Sequence, residues 1–164
     1  MIQVLFLCTH NAARSQIAEG LLNHLGGDRF RAHSAGSAPR PDQRPHPLAL
    51  RVLQEAGIPT DRLRSKPWDE FARPDAPRMD LVITLCDAAA GESCPLWPGH
   101  PVTAHWGFPD PSAVAGTDEQ RLRAFREVLG AIRRRIESLL RLPVDRLEPT
   151  ALQSAVRRLA GEES

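Results

Sequence analysis

The chain has 164 residues, 41% hydrophobic and 25% charged, and its 21 Lys and Arg against 20 Asp and Glu leave a formal charge of +1. That length supports one well-buried core, and the near balance of charge excludes the electrostatic footprint of a nucleic-acid binder. With no apolar run approaching roughly 20 residues and no basic leader with a small-residue cleavage site, neither a membrane partner nor export is indicated, and a cytoplasmic protein is expected.

Residues 2–7 are apolar except for Gln3 and read as a buried strand. Residues 15–25 follow with Ile17, Ala18, Leu21, Leu22 and Leu25 on one helical face, and Gly26-Gly27 stops that helix. Residues 29–36, RFRAHSAG, read as a second strand. Pro47 opens a second helix and Gly57 closes it. The run DLVITLC at 80–86 is β-branched and apolar in the manner of a strand buried on both faces, and PVTAHW at 101–106 reads as a fourth strand. Residues 118–140 form an amphipathic helix. Its run AIRRRIESLLR, sharing the helix with Glu127 and Glu137, reads as a solvated face rather than a nucleic-acid patch. One more short helix follows Pro143. The expected organisation is a domain at 1–142 and a C-terminal helical extension at 143–164. Strands separated by helices imply right-handed βαβ crossovers, hence an α/β fold with a parallel sheet covered by helices on both faces. Trp68, Trp97 and Trp106 are too scattered to stack on bases and are assigned to core or hinge positions.

Ligands of such sheets bind beyond the carboxyl ends of the strands, where helix N-termini point. Cys8 lies at one of those ends, and CTHNAAR makes a C-x5-R loop. The backbone N–H groups of Thr9, His10, Asn11, Ala12, Ala13, Arg14 and Ser15, with the dipole of the helix behind them, form a nest for a tetrahedral oxyanion. Arg14 completes it with bidentate contacts. A positive environment of this kind favours a thiolate, so Cys8 is a candidate nucleophile. The other reading is a buried strand-end cysteine beside an unrelated arginine. Three cysteines, an odd number, argue for thiol chemistry or inert buried thiols rather than a disulfide framework.

The stretch LCTHNAARSQIAEGLL resembles the active-site loop of the low-molecular-weight protein tyrosine phosphatase family, and SQIAEG is similar to its arsenate reductase branch. The likeness extends through HSAGS, HPLALRVLQEAGI, DLVITLCDAAAGESCP and HWGFPDPSA, over residues 2 to about 141. It implies a four-stranded parallel sheet, attack on an oxyanion by Cys8, and Asp110 of the PDPS segment as the acid. It further implies a relay: Cys8 attacks arsenate, Cys86 attacks Cys8 and releases arsenite, and Cys94 takes the disulfide outward for reduction by thioredoxin or an equivalent thiol donor. Phosphate or sulfate would compete with arsenate. No cofactor or metal is implied.

Other residues separate the branches. The phosphatases carry tyrosines after the Asp-Pro pair and hold an aryl phosphate between aromatic walls, whereas this chain has no tyrosine and Pro111 is followed by SAVAG. Reducing arsenate needs two electrons, which two thiols supply on forming a disulfide. A phosphatase of unknown substrate, with residual aryl phosphate hydrolysis, is the alternative enzyme. A non-catalytic arsenite binder using three thiols is the alternative of another class. A metal site from Cys86, Cys94, His100 and His105 has spacings that fit zinc ligand pairs poorly.

The departures from the family pattern are informative. Ala13 stands where several reductases have a second loop cysteine, and His10, in place of a small residue, reads as a loop side chain in preference to a hydrogen-bond donor supporting the site. Asn11, Glu19 and Ser34 match residues that surround a potassium ion in some relatives. Lys66, the only lysine in the chain, stands where a carboxylate partner is expected. It reads either as an ammonium in place of the ion or as a solvated loop lysine. Finally, a helix between Cys86 and Cys94 would hold their Cα atoms roughly 12 Å apart, against under about 7 Å for a disulfide, so residues 87–95 are expected to rearrange on oxidation.

Overall fold

A computed structural model describes residues 1–86 and 102–160. Cys94, and with it the expected rearrangement of residues 87–95, lies outside the described residues, as do Trp97 and His100. Strand β1 (Ile2–Cys8) carries the uninterrupted buried run Val4, Leu5, Phe6, Leu7, Cys8, and such a strand must have neighbours on both sides. It pairs in parallel with β2 (Phe30–Gly36) on one side and β3 (Leu81–Thr84) on the other, and β3 pairs with β4 (Val102–His105). The order is β2-β1-β3-β4, the four-stranded parallel sheet expected from the alternating pattern. β3 is shorter than the apolar run suggested: its paired residues end at Thr84, and Leu85 and Cys86 follow beyond the strand.

Helix α1 (Arg14–Leu25) starts at the loop arginine itself, one residue before the sequence pattern placed it. Helix α2 (Pro47–Glu55) begins at its proline and ends short of Gly57, whose φ of 76° lies in the left-handed region. Helix α3 (Asp118–Leu140) has the expected bounds, fixed at the start by a capping box: Thr117 Oγ1 accepts from the Gln120 N–H and Gln120 Oε1 from the Thr117 N–H. Helix α4 (Pro149–Leu159) is the short helix expected beyond Pro143.

Alternation along the strands divides the core. Val4, Phe6, Leu81 and Ile83 point to the face covered by Ile17 and Leu21 of α1, Phe125, Ile132 and Ile136 of α3, and Val156 of α4. Leu5, Leu7 and Val82 point to the other face and meet Ala35 and Met79, with Trp68 and Phe71 of a short 3-10 turn (Trp68–Phe71) against them. The arginine run is not wholly solvated. Arg135 is buried on the core side of α3, its guanidinium 5.7 Å from the Trp106 ring and 5.0 Å from that of Phe108. Planar and weakly hydrated, a guanidinium tolerates such aromatic faces where an ammonium would not. Trp106 is fully buried, as expected of a core residue.

Helix α4 closes the sheet at β4. Arg157 Nε donates to the Thr103 carbonyl at 2.9 Å and Nη2 to Thr103 Oγ1 at 3.3 Å, while the Thr103 N–H reaches Gln153 Oε1 at 3.5 Å. Trp106 Nε1 donates to the Val156 carbonyl at 3.1 Å. Among the described residues no helix is long and apolar enough to cross a membrane.

Candidate active site

The loop between β1 and α1 turns on Asn11, whose φ of 59° is in the left-handed region that asparagine tolerates better than most residues. That turn directs the Asn11 N–H onto Cys8 Sγ at 3.2 Å. Ser15 Oγ lies 2.9 Å from the same sulfur and takes the Asn11 Nδ2 donor at 2.7 Å. Cys8 is a free thiol, 4% exposed at the carboxyl end of β1. The N-cap of α1 is Ala13, which brings no side-chain acceptor, and the helix has no acidic residue in its first turn. Its first N–H groups are thus not satisfied from within by a capping side chain, the arrangement that suits an external anion.

Close packing fixes the loop from β2. A Cβ on Gly36 would stand 2.6 Å from the Thr9 carbonyl oxygen, so only glycine lets the strand pass this near. The N–H groups of Ser37 and Ala38 then donate to the carbonyls of Cys8 and Thr9, at 3.1 and 2.9 Å. Thr9 and Ala12 are half-buried and His10 is exposed, a loop side chain as expected.

Arg14 is buried and is placed by the strand ends beside it. Its Nη1 donates to the carbonyls of Phe108 at 3.0 Å and Leu85 at 3.5 Å, and its Nη2 is 3.8 Å from Asp110 Oδ2. Asp110 caps the turn Pro111–Ala113: its Oδ1 accepts from the Ser112 N–H at 3.0 Å and from Ser112 Oγ at 2.7 Å. The other oxygen remains directed to Arg14. Asp110, distant in sequence from the loop of Cys8 and Arg14, is thereby brought to that loop at the carboxyl end of the sheet.

Cys86 is fully buried just beyond β3 and is disulfide-bonded. β1 and β3 are neighbours in a register that pairs Leu7 with Thr84, and the Leu85 N–H donates to the Leu7 carbonyl at 2.9 Å. Cys86 thus follows immediately on the segment laid beside the end of Cys8's strand.

Behind the loop, Asn11, Glu19, Ser34 and Lys66 are buried together. Ser34 Oγ donates to Glu19 Oε1 at 2.6 Å, and Lys66 Nζ reaches the same oxygen at 3.4 Å and the Arg64 carbonyl at 2.8 Å. The Lys66 N–H donates to Asn11 Oδ1 at 3.0 Å. Of the two readings of Lys66, the solvated loop side chain is thereby excluded. Burial pushes its pKa below the ordinary lysine value, with the Glu19 carboxylate opposing and the Arg64 charge adding to the fall.

Three further supports were not read from the sequence. Ser65 Oγ donates to the Asn11 carbonyl at 2.6 Å, Gln16 Nε2 bonds that carbonyl and the Arg64 carbonyl at 2.9 Å each, and the His46 N–H donates to the Ala12 carbonyl at 2.7 Å. The signal available was adjacency: Gln16 and Ser65 flank residues already singled out, and His46 immediately precedes the proline that opens α2. Among the described residues no group of three or more His, Cys, Asp or Glu is placed to hold a metal ion.

Known proteins resemble this chain over most of its length. Residues 3–155 match the model of the low molecular weight phosphotyrosine protein phosphatase family. An arsenate reductase of Bacillus licheniformis is 38% identical over 135 residues, 82% of this chain and 91% of that one. A glutaredoxin arsenate reductase of Synechocystis is 33% identical over 140 residues, covering 85% of this chain and 97% of that one. The solved structure of a thioredoxin-dependent arsenate reductase of Corynebacterium glutamicum superposes with a TM-score of 0.57 at 34% identity, over 85% of this chain and 62% of that one. The chain therefore belongs to the low molecular weight phosphotyrosine protein phosphatase family, among relatives that are arsenate reductases.

Proposed function

We propose that the protein reduces arsenate to arsenite at Cys8, using Cys86 and Cys94 as the source of two electrons. The observation that carries this reading is the pairing of two cysteines with different states at adjacent strand ends: a free Cys8 in the anion loop, and a disulfide-bonded Cys86 just past β3. Hydrolysis of a phosphate ester uses only the first.

The Cys8 thiolate attacks arsenic, and Asp110 gives its proton to the departing oxygen, which leaves as water. Arg14 and the loop N–H groups hold the remaining oxygens and the charge that builds on them. Cys86, as thiolate, then attacks Cys8 Sγ. The sulfur–arsenic bond breaks with its electron pair going to arsenic, which leaves as arsenite, and a Cys8–Cys86 disulfide forms. Cys94 attacks Cys86, returning Cys8 as a thiolate. The resulting disulfide is reduced by a protein dithiol of the thioredoxin or glutaredoxin kind, the two donors named in the relatives. The cytoplasm, where such donors keep thiols reduced, is the compartment this chemistry requires.

The test is arsenate-dependent NADPH oxidation through a reconstituted thioredoxin system and, separately, a glutaredoxin system. We expect turnover with one of them and none for Cys8→Ser. Turnover in neither system, or undiminished turnover by Cys8→Ser, overturns the proposal.

A further inference from the structure

The anion loop and α2 meet at His46. Its backbone N–H donates to the Ala12 carbonyl at 2.7 Å. Its Nδ1 accepts the Leu48 N–H at 3.1 Å, so the imidazole serves as the N-cap of α2. Its ring lies against Phe125 of α3, with centroids 4.7 Å apart. His46 is held from two helices, and it in turn holds Ala12. The Ala12 carbonyl and the Ala13 N–H belong to one peptide unit, planar and trans, so they point in opposite directions. Tying that oxygen to the start of α2 turns the Ala13 N–H the other way.

We propose that His46 is a positioning residue for the oxyanion: its N–H fixes the Ala12–Ala13 peptide so that the Ala13 N–H faces the anion, and its Nδ1 cap on α2 keeps that tie in register. The inference rests on the reading of residues 8–15 as an anion cradle. Ala12 and Ala13 have no polar side chain with which to orient themselves, so the tie must come from outside the loop. The cap requires an unprotonated Nδ1. Burial, and after it the charge of Arg121, push the His46 pKa below its ordinary 6.5, against the pull of Asp110. The positive end of α2 disfavours an imidazolium there as well.

Calorimetric titration of the full chain with inorganic phosphate tests this. His46→Ala removes the cap and should weaken phosphate binding about fivefold, while His46→Asn, whose Oδ1 caps a helix equally well, should restore it to within about twofold. His46 has φ −63°, the value that a proline ring imposes, so His46→Pro deletes the N–H without altering φ, and because it lacks the cap as His46→Ala does, the difference between the two reads the N–H. It should weaken binding about tenfold or more. Unchanged affinity in His46→Ala and His46→Pro, with tight binding by the unaltered protein, overturns this inference alone. Equal weakening by Asn and Ala overturns the role of the cap. Failure of the unaltered protein to bind phosphate overturns the cradle and this inference with it.

Discussion

The Lys66 ammonium lies 3.4 Å from Glu19 Oε1, and both side chains are buried directly behind the loop that carries Cys8. A carboxylate in that position needs a cation, and the chain supplies one covalently. Lys66→Met leaves Glu19 buried without its partner and should cost about 3 kcal/mol of stability, measured by urea unfolding at neutral pH. A loss under about 0.5 kcal/mol would show that the pair adds nothing. For the same reason, exchanging potassium for sodium should leave the melting temperature of the unaltered protein in place, whereas Lys66→Asp should gain stability with potassium.

Cys86 separates two chemistries within one protein. In the proposed relay it acts only after the adduct on Cys8 has formed, so Cys86→Ser should stop multiple turnover of arsenate and leave hydrolysis of a simple aryl phosphate nearly intact. Cys94→Ser should still release arsenite in a single turnover. Normal arsenate turnover by Cys86→Ser in the donor-coupled assay would remove it from the relay.

Asp110 offers one oxygen to Ser112 and the other to Arg14, and Asp110→Asn preserves the Ser112 contacts while losing the acid. The variant should keep its stability within about 0.5 kcal/mol and lose roughly 10²-fold or more in the rate of adduct formation. Rapid-quench measurement at saturating arsenate reads that step directly, and a loss under about threefold would exclude Asp110 as the acid.

His33 sets part of the acid limb of stability. Burial, and then the charges of Arg31 and Lys66, push its pKa from 6.5 to about 4. Above pH 6.5 the ring is neutral in both states and contributes nothing. Between 6.5 and about 4 the unfolded chain takes up a proton that the folded one refuses, so stability falls as pH falls through that window. The ring is only half-buried and its charge is partly screened, which brings the loss to about 1–2 kcal/mol. His33→Gln should remove that part of the slope. An equal difference between variant and parent at pH 7 and pH 4.5 would disprove the assignment.

Much of this protein is legible where the information is local. The Cys8 to Arg14 loop is contiguous, so a strand ending at Cys8 and a helix read from Ser15, one residue late, suffice to place it. Thr117 and Gln120 state the start of α3 by themselves. What escaped reading depends on contacts between distant segments. Nothing in RRR tells Arg135 from its neighbours, since its burial is decided by the rings of Trp106 and Phe108 across the core. The burial of Lys66 is decided by Glu19, in a different element. The His46 tie to Ala12 is made by a backbone N–H, and such a donor leaves no trace in residue identity.

The bonds from Gln153 and Arg157 to Thr103 bear on how the molecule behaves in company. An outer strand with idle peptide groups invites a neighbouring chain to extend the sheet, and repeated extension ends in ribbons. Here two side chains one helical turn apart occupy the N–H and C=O of Thr103, so a second molecule arriving at β4 finds that rung of the ladder already taken and must dislodge a packed helix to dock.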